Sequence, residues 1–195
     1  TAGISACGRG NQWQRALSLL SEIGEAKLEL DIRFYTAGLV ACEKARQWQQ
    51  ALSLLKDAQD VKLERDVISF SSGISALEKG GQWQLALLLL MELRQDFPAN
   101  LIAYSAGIAA CRKSGQWQWA LSLLRESQDN LLEANIVTYI TCIRSCREWG
   151  QWQVAISLLS ELSDLQIERD AMSWCAAMSV CDKSGQWQHA LALLK

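Results

Sequence analysis

The chain has 195 residues, half of them apolar, with 19 Lys plus Arg against 21 Asp plus Glu and a formal net charge of −2. That length suits one globular domain or a short repeat array, and the apolar half is enough for a continuous core. The charge speaks against tight non-specific phosphate binding while leaving room for local basic stripes, and the longest apolar run, Leu85 to Met91, is far shorter than the roughly 18 to 20 residues of a membrane span.

Along the chain the tripeptide Gln-Trp-Gln recurs at Gln12, Gln47, Gln82, Gln116, Gln151 and Gln186, at intervals of 35, 35, 34, 35 and 35 residues. A fixed period of this length signals a repeat array. The repeats divide as 1–31 (partial), 32–66, 67–100, 101–135, 136–170 and 171–195 (partial), expected as one domain. The third shows the grammar. Phe70, Ile74 and Leu77 share one helical face, Gly80-Gly81 ends that helix, and Trp83, Ala86, Leu87, Leu90 and Leu93 form a second stripe. Pro98 closes the repeat. The period is one residue short between Asp96 and Asn100.

The other repeats follow the same plan. The first-helix aromatic is Tyr35, Phe70, Tyr104, Tyr139 and Trp174, followed four residues later by Leu39, Ile74, Ile108, Ile143 and Met178. Gly38, Gly73, Gly107 and Ala177 lie between and permit close helix approach. Ala16, Ala51, Ala86, Ala120, Ala155 and Ala190 each stand three residues after the repeated tryptophan. The turn residue is Gly81, Gly115, Gly150 and Gly185, with Asn11 and Arg46 in the first two repeats; of these, arginine tolerates the left-handed conformation least. One hairpin cannot bury its own apolar face, but stacked hairpins can. The expected architecture is therefore all-α: a right-handed α-solenoid of helix-turn-helix repeats. The sequence reads as an excerpt, opening inside a first helix and stopping inside a second.

Seven cysteines without a CxxC, five of them at one place in the repeat (Cys7, Cys42, Cys111, Cys146, Cys181), read as buried reduced thiols. No metal set, cofactor motif or catalytic constellation is visible, so neither enzyme activity nor a cofactor is expected. The repeated tryptophan shares a stripe with alanine and leucine and reads as scaffold. Leu85, Trp119 and Val154 occupy one register of successive second helices and could form a patch for a protein partner, or could pack on the next repeat. His189, in that register, is expected to be an exposed polar residue.

The aromatic-led first helix, the lysine-glycine turn, the alanine-leucine second helix and the period, all present in VISFSSGISALEKGGQWQLALLLLMEL, resemble the pentatricopeptide repeat, and the resemblance runs through all six repeats. Tetratricopeptide repeats instead carry tryptophan in the first helix and proline near the end of each unit. The resemblance implies binding of single-stranded RNA, one nucleotide per repeat. It assigns base reading to the residue after each aromatic and to the last residue of each repeat: Thr1 with Asp31, Thr36 with Asp66, Ser71 with Asn100, Ser105 with Asn135, Ile140 with Asp170, and Cys175. In the family Thr with Asp tends to read G, and Ser or Thr with Asn tends to read A, so the implied site is 5′-GGAANN-3′. Arg33, Ile68, Ile102, Val137 and Met172 would pack on bases. Arg9, Lys44, Lys79, Lys113 and Lys183 would meet phosphates, although helix-end lysines also suit a plain solvated role. Ile140 and Glu148 depart from the pattern and make repeat five a weak or silent reader. By the same resemblance the compartment would be a chloroplast or mitochondrion and the role RNA processing, stability, editing or translation. The zinc deaminase domain of some relatives has no counterpart, since Ala190 follows His189 and CxxC is absent.

Overall fold

The computed structural model describes residues 2–10, 12–25, 32–60, 66–98, 100–130, 132, 135–165 and 170–192. Among them lie twelve helices and no strand, in two compact halves, Thr1–Pro98 and Ala99–Lys195. The first half holds α1 (Ala2–Arg9), α2 (Trp13–Glu25), α3 (Ile32–Lys44), α4 (Trp48–Asp60), α5 (Val67–Lys79) and α6 (Trp83–Asp96). The second holds α7 (Leu101–Lys113), α8 (Trp117–Asp129), α9 (Ile136–Ser145), α10 (Trp152–Asp164), α11 (Ala171–Lys183) and α12 (Trp187–Ala192). Within each half the odd-numbered helices stack on one another, and each even-numbered helix packs on its own partner and, where one follows within the half, on the next odd-numbered helix.

The period-3.6 stripes become the core. Phe70, Tyr104 and Tyr139 are at most 1% exposed, as are Leu39, Ile74, Ile108 and Ile143 four residues after the aromatics. Ala16, Ala51, Ala86, Ala120 and Ala155 are fully buried. Gly73 shows why the first helices need small residues: an added Cβ would lie 2.6 Å from Leu55 Cδ1 and 3.1 Å from Leu89 Cδ2. Cys42, Cys111, Cys146 and Cys181 are buried free thiols and Cys7 is half-buried. Burial raises the pKa of Cys42 and Cys146 to about 11 and of Cys111 to about 12, and pushes that of Cys181 up as well, so these four thiols stay protonated at neutral pH.

Each QWQ sets the hairpin through its backbone. The N–H of Gln47 bonds the carbonyl of Cys42 at 2.9 Å, closing the end of α3, while its carbonyl accepts from Ala51 N at 3.1 Å and begins α4. Gln82, Gln116, Gln151 and Gln186 repeat the pair of bonds. The closing bond needs a left-handed residue just before the glutamine. Gly81, Gly115, Gly150 and Gly185 supply it at φ 60–72°, and Arg46 supplies it at φ 58° against the preference of an L side chain. Asn11 lies outside the described residues.

Of the repeated tryptophans, Trp48 is scaffold, whereas Trp187 is 63% exposed. A Cβ on Gly80 would lie 2.7 Å from Trp48 Cγ, so the Trp48 ring sits on the turn of the following repeat. His189 stacks on Trp152, ring centroids 4.1 Å apart, instead of standing exposed. In repeat five the seat equivalent to Gly80 is filled by Trp149. Elsewhere this position holds small residues, Ala45, Ser114 and Ser184, and an indole does not fit; Trp149 is 67% exposed, and α9 ends at Ser145, short of the lysine-equivalent position at which α3, α5, α7 and α11 end. The short period of repeat three falls in the connector: α6 ends at Asp96 and α7 begins at Leu101, and Phe97 folds back edge-on against Phe70 at 6.1 Å.

Candidate nucleic-acid interface

In repeats two to five the last residue is a helix N-cap. Asp66 Oδ1 accepts from Ser69 N at 2.7 Å, and Ser69 Oγ accepts in return from Asp66 N at 3.3 Å. Asn100 Oδ1 accepts from Ile102 N and Ala103 N, Asn135 Oδ1 from Thr138 N at 3.0 Å, and Asp170 Oδ1 from Ser173 N at 2.8 Å. These residues were assigned by resemblance to base reading alone; Asp or Asn before an apolar stripe is also a helix-start signal, legible in the sequence. The cap has a chemical consequence. It occupies one oxygen, so Asp66 and Asp170 retain a second carboxylate oxygen as acceptor, while Asn100 and Asn135 retain Nδ2 as donor. Guanine offers N–H donors on its Watson–Crick edge, and adenine offers the N1 acceptor.

The other half of each assigned pair lies one turn into the first helix. Thr36 Oγ1 donates to Ile32 O at 2.9 Å and Ser71 Oγ to Val67 O at 2.7 Å. Each hydroxyl thereby spends its proton and presents lone pairs. In repeat four the pair is linked: Thr138 Oγ1 donates to Asn135 Oδ1 at 3.0 Å and lies 3.4 Å from Ser105 Oγ. Ile140 is 6% exposed and turned into the core, and Cys175 is exposed. Thr1 and Asp31 lie outside the described residues, as does the side chain of Arg9.

The assigned base-packing residues occupy one register and face solvent. In the second half Ile102, Val137 and Met172 are 66%, 63% and 51% exposed; in the first half Ile68 is 63% exposed, and Arg33, at the same register of α3, is exposed too. The basic residues are less uniform. Lys44 and Lys113 are exposed. Lys79 Nζ is 2.8 Å from Glu43, and Lys183 Nζ is 2.9 Å from Glu148, in each case an acid of the preceding repeat. The hydrogen bond from Lys183 is the main reason the Glu148 carboxyl is held below its ordinary range. These ladders were missed from sequence; acids one period before lysines were the available signal.

On the second-helix side, Tyr139 Oη donates to Glu161 Oε1 at 2.8 Å, and Gln128 Nε2 donates to both, which ties three successive helices together. Burial first, then the hydrogen bond with Glu161, raises the Tyr139 phenol far above its ordinary value. Leu85 is half-buried in the first half. In the second, Trp119 is 52% exposed and Val154 lines an open groove of about 860 Å³ between α8 and α10.

The family model described as PPR repeat matches residues 4–28 and 137–167. No curated protein sequence matches the chain. Among solved structures, the pentatricopeptide repeat protein PPR10 from maize is 22% identical with a TM-score of 0.78, over 98% of this chain and 28% of PPR10. PPR10 in complex with an 18-nt psaJ RNA element gives 21% and 0.76, over 97% of this chain and 28% of PPR10. The PPR domain of Arabidopsis thaliana protein-only RNase P 1, in complex with tRNA, gives 13% and 0.76, over 96% of both chains. The chain thus has the fold of these repeat proteins and spans under a third of the PPR10 chain.

Proposed function

We propose that this chain, which belongs to the pentatricopeptide-repeat family, binds single-stranded RNA sequence-specifically, one nucleotide per repeat, along its first-helix face. The observation that carries the reading is the run of Ile102, Val137 and Met172, each more than half exposed at one register of successive helices. Single exposed apolar residues are ordinary, but a repeated one at the spacing of the array suits ligands with flat apolar faces. Beside each stands a capped Asn or Asp with hydrogen-bonding capacity left over. Similarity to PPR proteins solved with an RNA element and with tRNA supports the same ligand class.

In this reading Thr36 with Asp66 accepts from the donors of G, while Asn100 and Asn135 offer their Nδ2 donors to the N1 acceptor of A, Ser71 beside Asn100 presents lone pairs to its amino group, and Ser105 stands as the partner of Asn135. Thr1 with Asp31 supplies a preceding G, and Ile140 leaves repeat five without a reader, giving 5′-GGAANN-3′. The output would be protection or remodelling of an organellar transcript, in a chloroplast or mitochondrion, by binding rather than by catalysis. Fluorescence titration at two salt concentrations with GGAA and CCUU oligonucleotides tests this. Tighter binding of GGAA is expected, and equal binding would overturn the base assignments. A second reading, a protein partner on the second-helix side, is favoured by exposed Trp119 on α8 and by the open groove between α8 and α10 that Val154 lines. Such a partner would tolerate Thr36→Ala with Asn135→Ala, which an RNA reader would not.

A further inference from the structure

Repeat five departs from the others in a correlated way. Two residues before the turn-forming pair, repeats two, three and six carry acids, Glu43, Glu78 and Asp182, whereas repeats four and five carry Arg112 and Arg147. Five residues after the aromatic, repeats two, three, four and six carry Val40, Ser75, Ala109 and Ser179, whereas repeat five carries Arg144. Neither departure follows from packing, since Arg144 and Arg147 are exposed. The structure gathers them. Arg112, Lys113, Arg144 and Arg147 line one cleft of about 440 Å³ on the odd-numbered helices of the second half, with Cys175 and Ser179 on its far wall. Glu148 is the acid in the lining, and Lys183 already pairs with it at 2.9 Å. The early end of α9 places Arg147 on a turn beyond the helix.

We infer that this cleft is a phosphate-binding site that grips the RNA backbone at the repeat that cannot read a base. The inference rests on RNA being the ligand. Three guanidinium groups, Arg112, Arg144 and Arg147, converging on an open cleft whose lining carboxylate Glu148 is already paired with Lys183 are suited to phosphodiester oxygens, which guanidinium forks bind two at a time. They sit where Ile140 withdraws into the core and offers a base nothing. Repeat five would then be an anchor that contributes affinity and salt sensitivity, and the readers of the preceding repeats would keep the selectivity. This adds Arg112, Arg144 and Arg147 to the phosphate-contacting set and explains how the array could skip Glu148 in its basic stripe.

The test is Arg144→Gln with Arg147→Gln, with Arg144→Lys and Arg147→Lys as the charge-conserving control. RNA affinity is measured across a salt series, and tripolyphosphate serves as a base-free probe. The glutamine variant should lose roughly tenfold in affinity for GGAA and CCUU alike, with the log–log salt slope shallower by about 0.7 per lost phosphate contact. The lysine variant should keep the slope, and both should keep the wild-type melting temperature because the side chains are exposed. An unchanged slope in the glutamine variant, or a loss confined to GGAA, overturns the inference. If wild type binds tripolyphosphate through these arginines and no RNA at all, the RNA reading falls and the anion cleft stands. Binding of neither overturns both.

Discussion

The two halves share one scaffold and differ in the charge at the ends of their odd-numbered helices. In each half one lysine of the basic stripe is spent on the preceding repeat, Lys79 on Glu43 in the first and Lys183 on Glu148 in the second. In the second, Arg112, Lys113, Arg144 and Arg147 converge on a cleft. The difference arises from a few substitutions at solvent-facing registers, which leave the hairpin packing untouched. In a repeat array the core stripe has to recur because each hairpin buries the next, whereas the outer registers are under no such constraint. Local character therefore collects there.

The shared scaffold can be broken first. Leu90→Ala in the first half and Leu124→Ala in the second, both 1% exposed, should each cost about 2–5 kcal/mol by urea unfolding. Similar losses are expected; a near-neutral result at either site would mean the halves are not packed alike. Next in size is the seat under the tryptophan. Gly80→Ala should cost about 1–3 kcal/mol because its Cβ would meet Trp48. Trp149→Gly should cost under about 0.5 kcal/mol, as a surface change, and should extend α9, read as a gain in helical circular dichroism. A large loss from Trp149→Gly would refute the account of the shortened helix. The smallest effect is at the ion pair. Glu43→Gln should change stability by less than about 1 kcal/mol, yet steepen the salt dependence of RNA binding by releasing Lys79. An unchanged slope would place Lys79 away from the backbone path.

Much of the site was legible as positions and little of it as geometry. The residues after Tyr35, Phe70 and Tyr104 could be counted out from the repeated tryptophan. What that counting could not supply was the state of each side chain. Asn135 was visible as the end of a repeat, but its division into a capping oxygen and a remaining amide depends on backbone N–H directions at the start of α9. His189 looked exposed because its register is polar elsewhere, and the ring of Trp152 from the preceding repeat covers it instead. The cleft was missed because Arg112 and Arg144 are 32 residues apart and belong to different repeats.

Sequence by itself determined the period, the helix pairs, the left-handed turn residues and the buried stripes. Those features depend on local backbone preference and on apolar spacing within about a dozen residues, and both are written in the chain. Tertiary structure decided which lysines are paired, which apolar residues stay in water at a common register, and where arginines from successive repeats meet. Those outcomes depend on the stagger between neighbouring hairpins, which follows from how side chains such as Trp48 and Gly80 fit together across a repeat boundary.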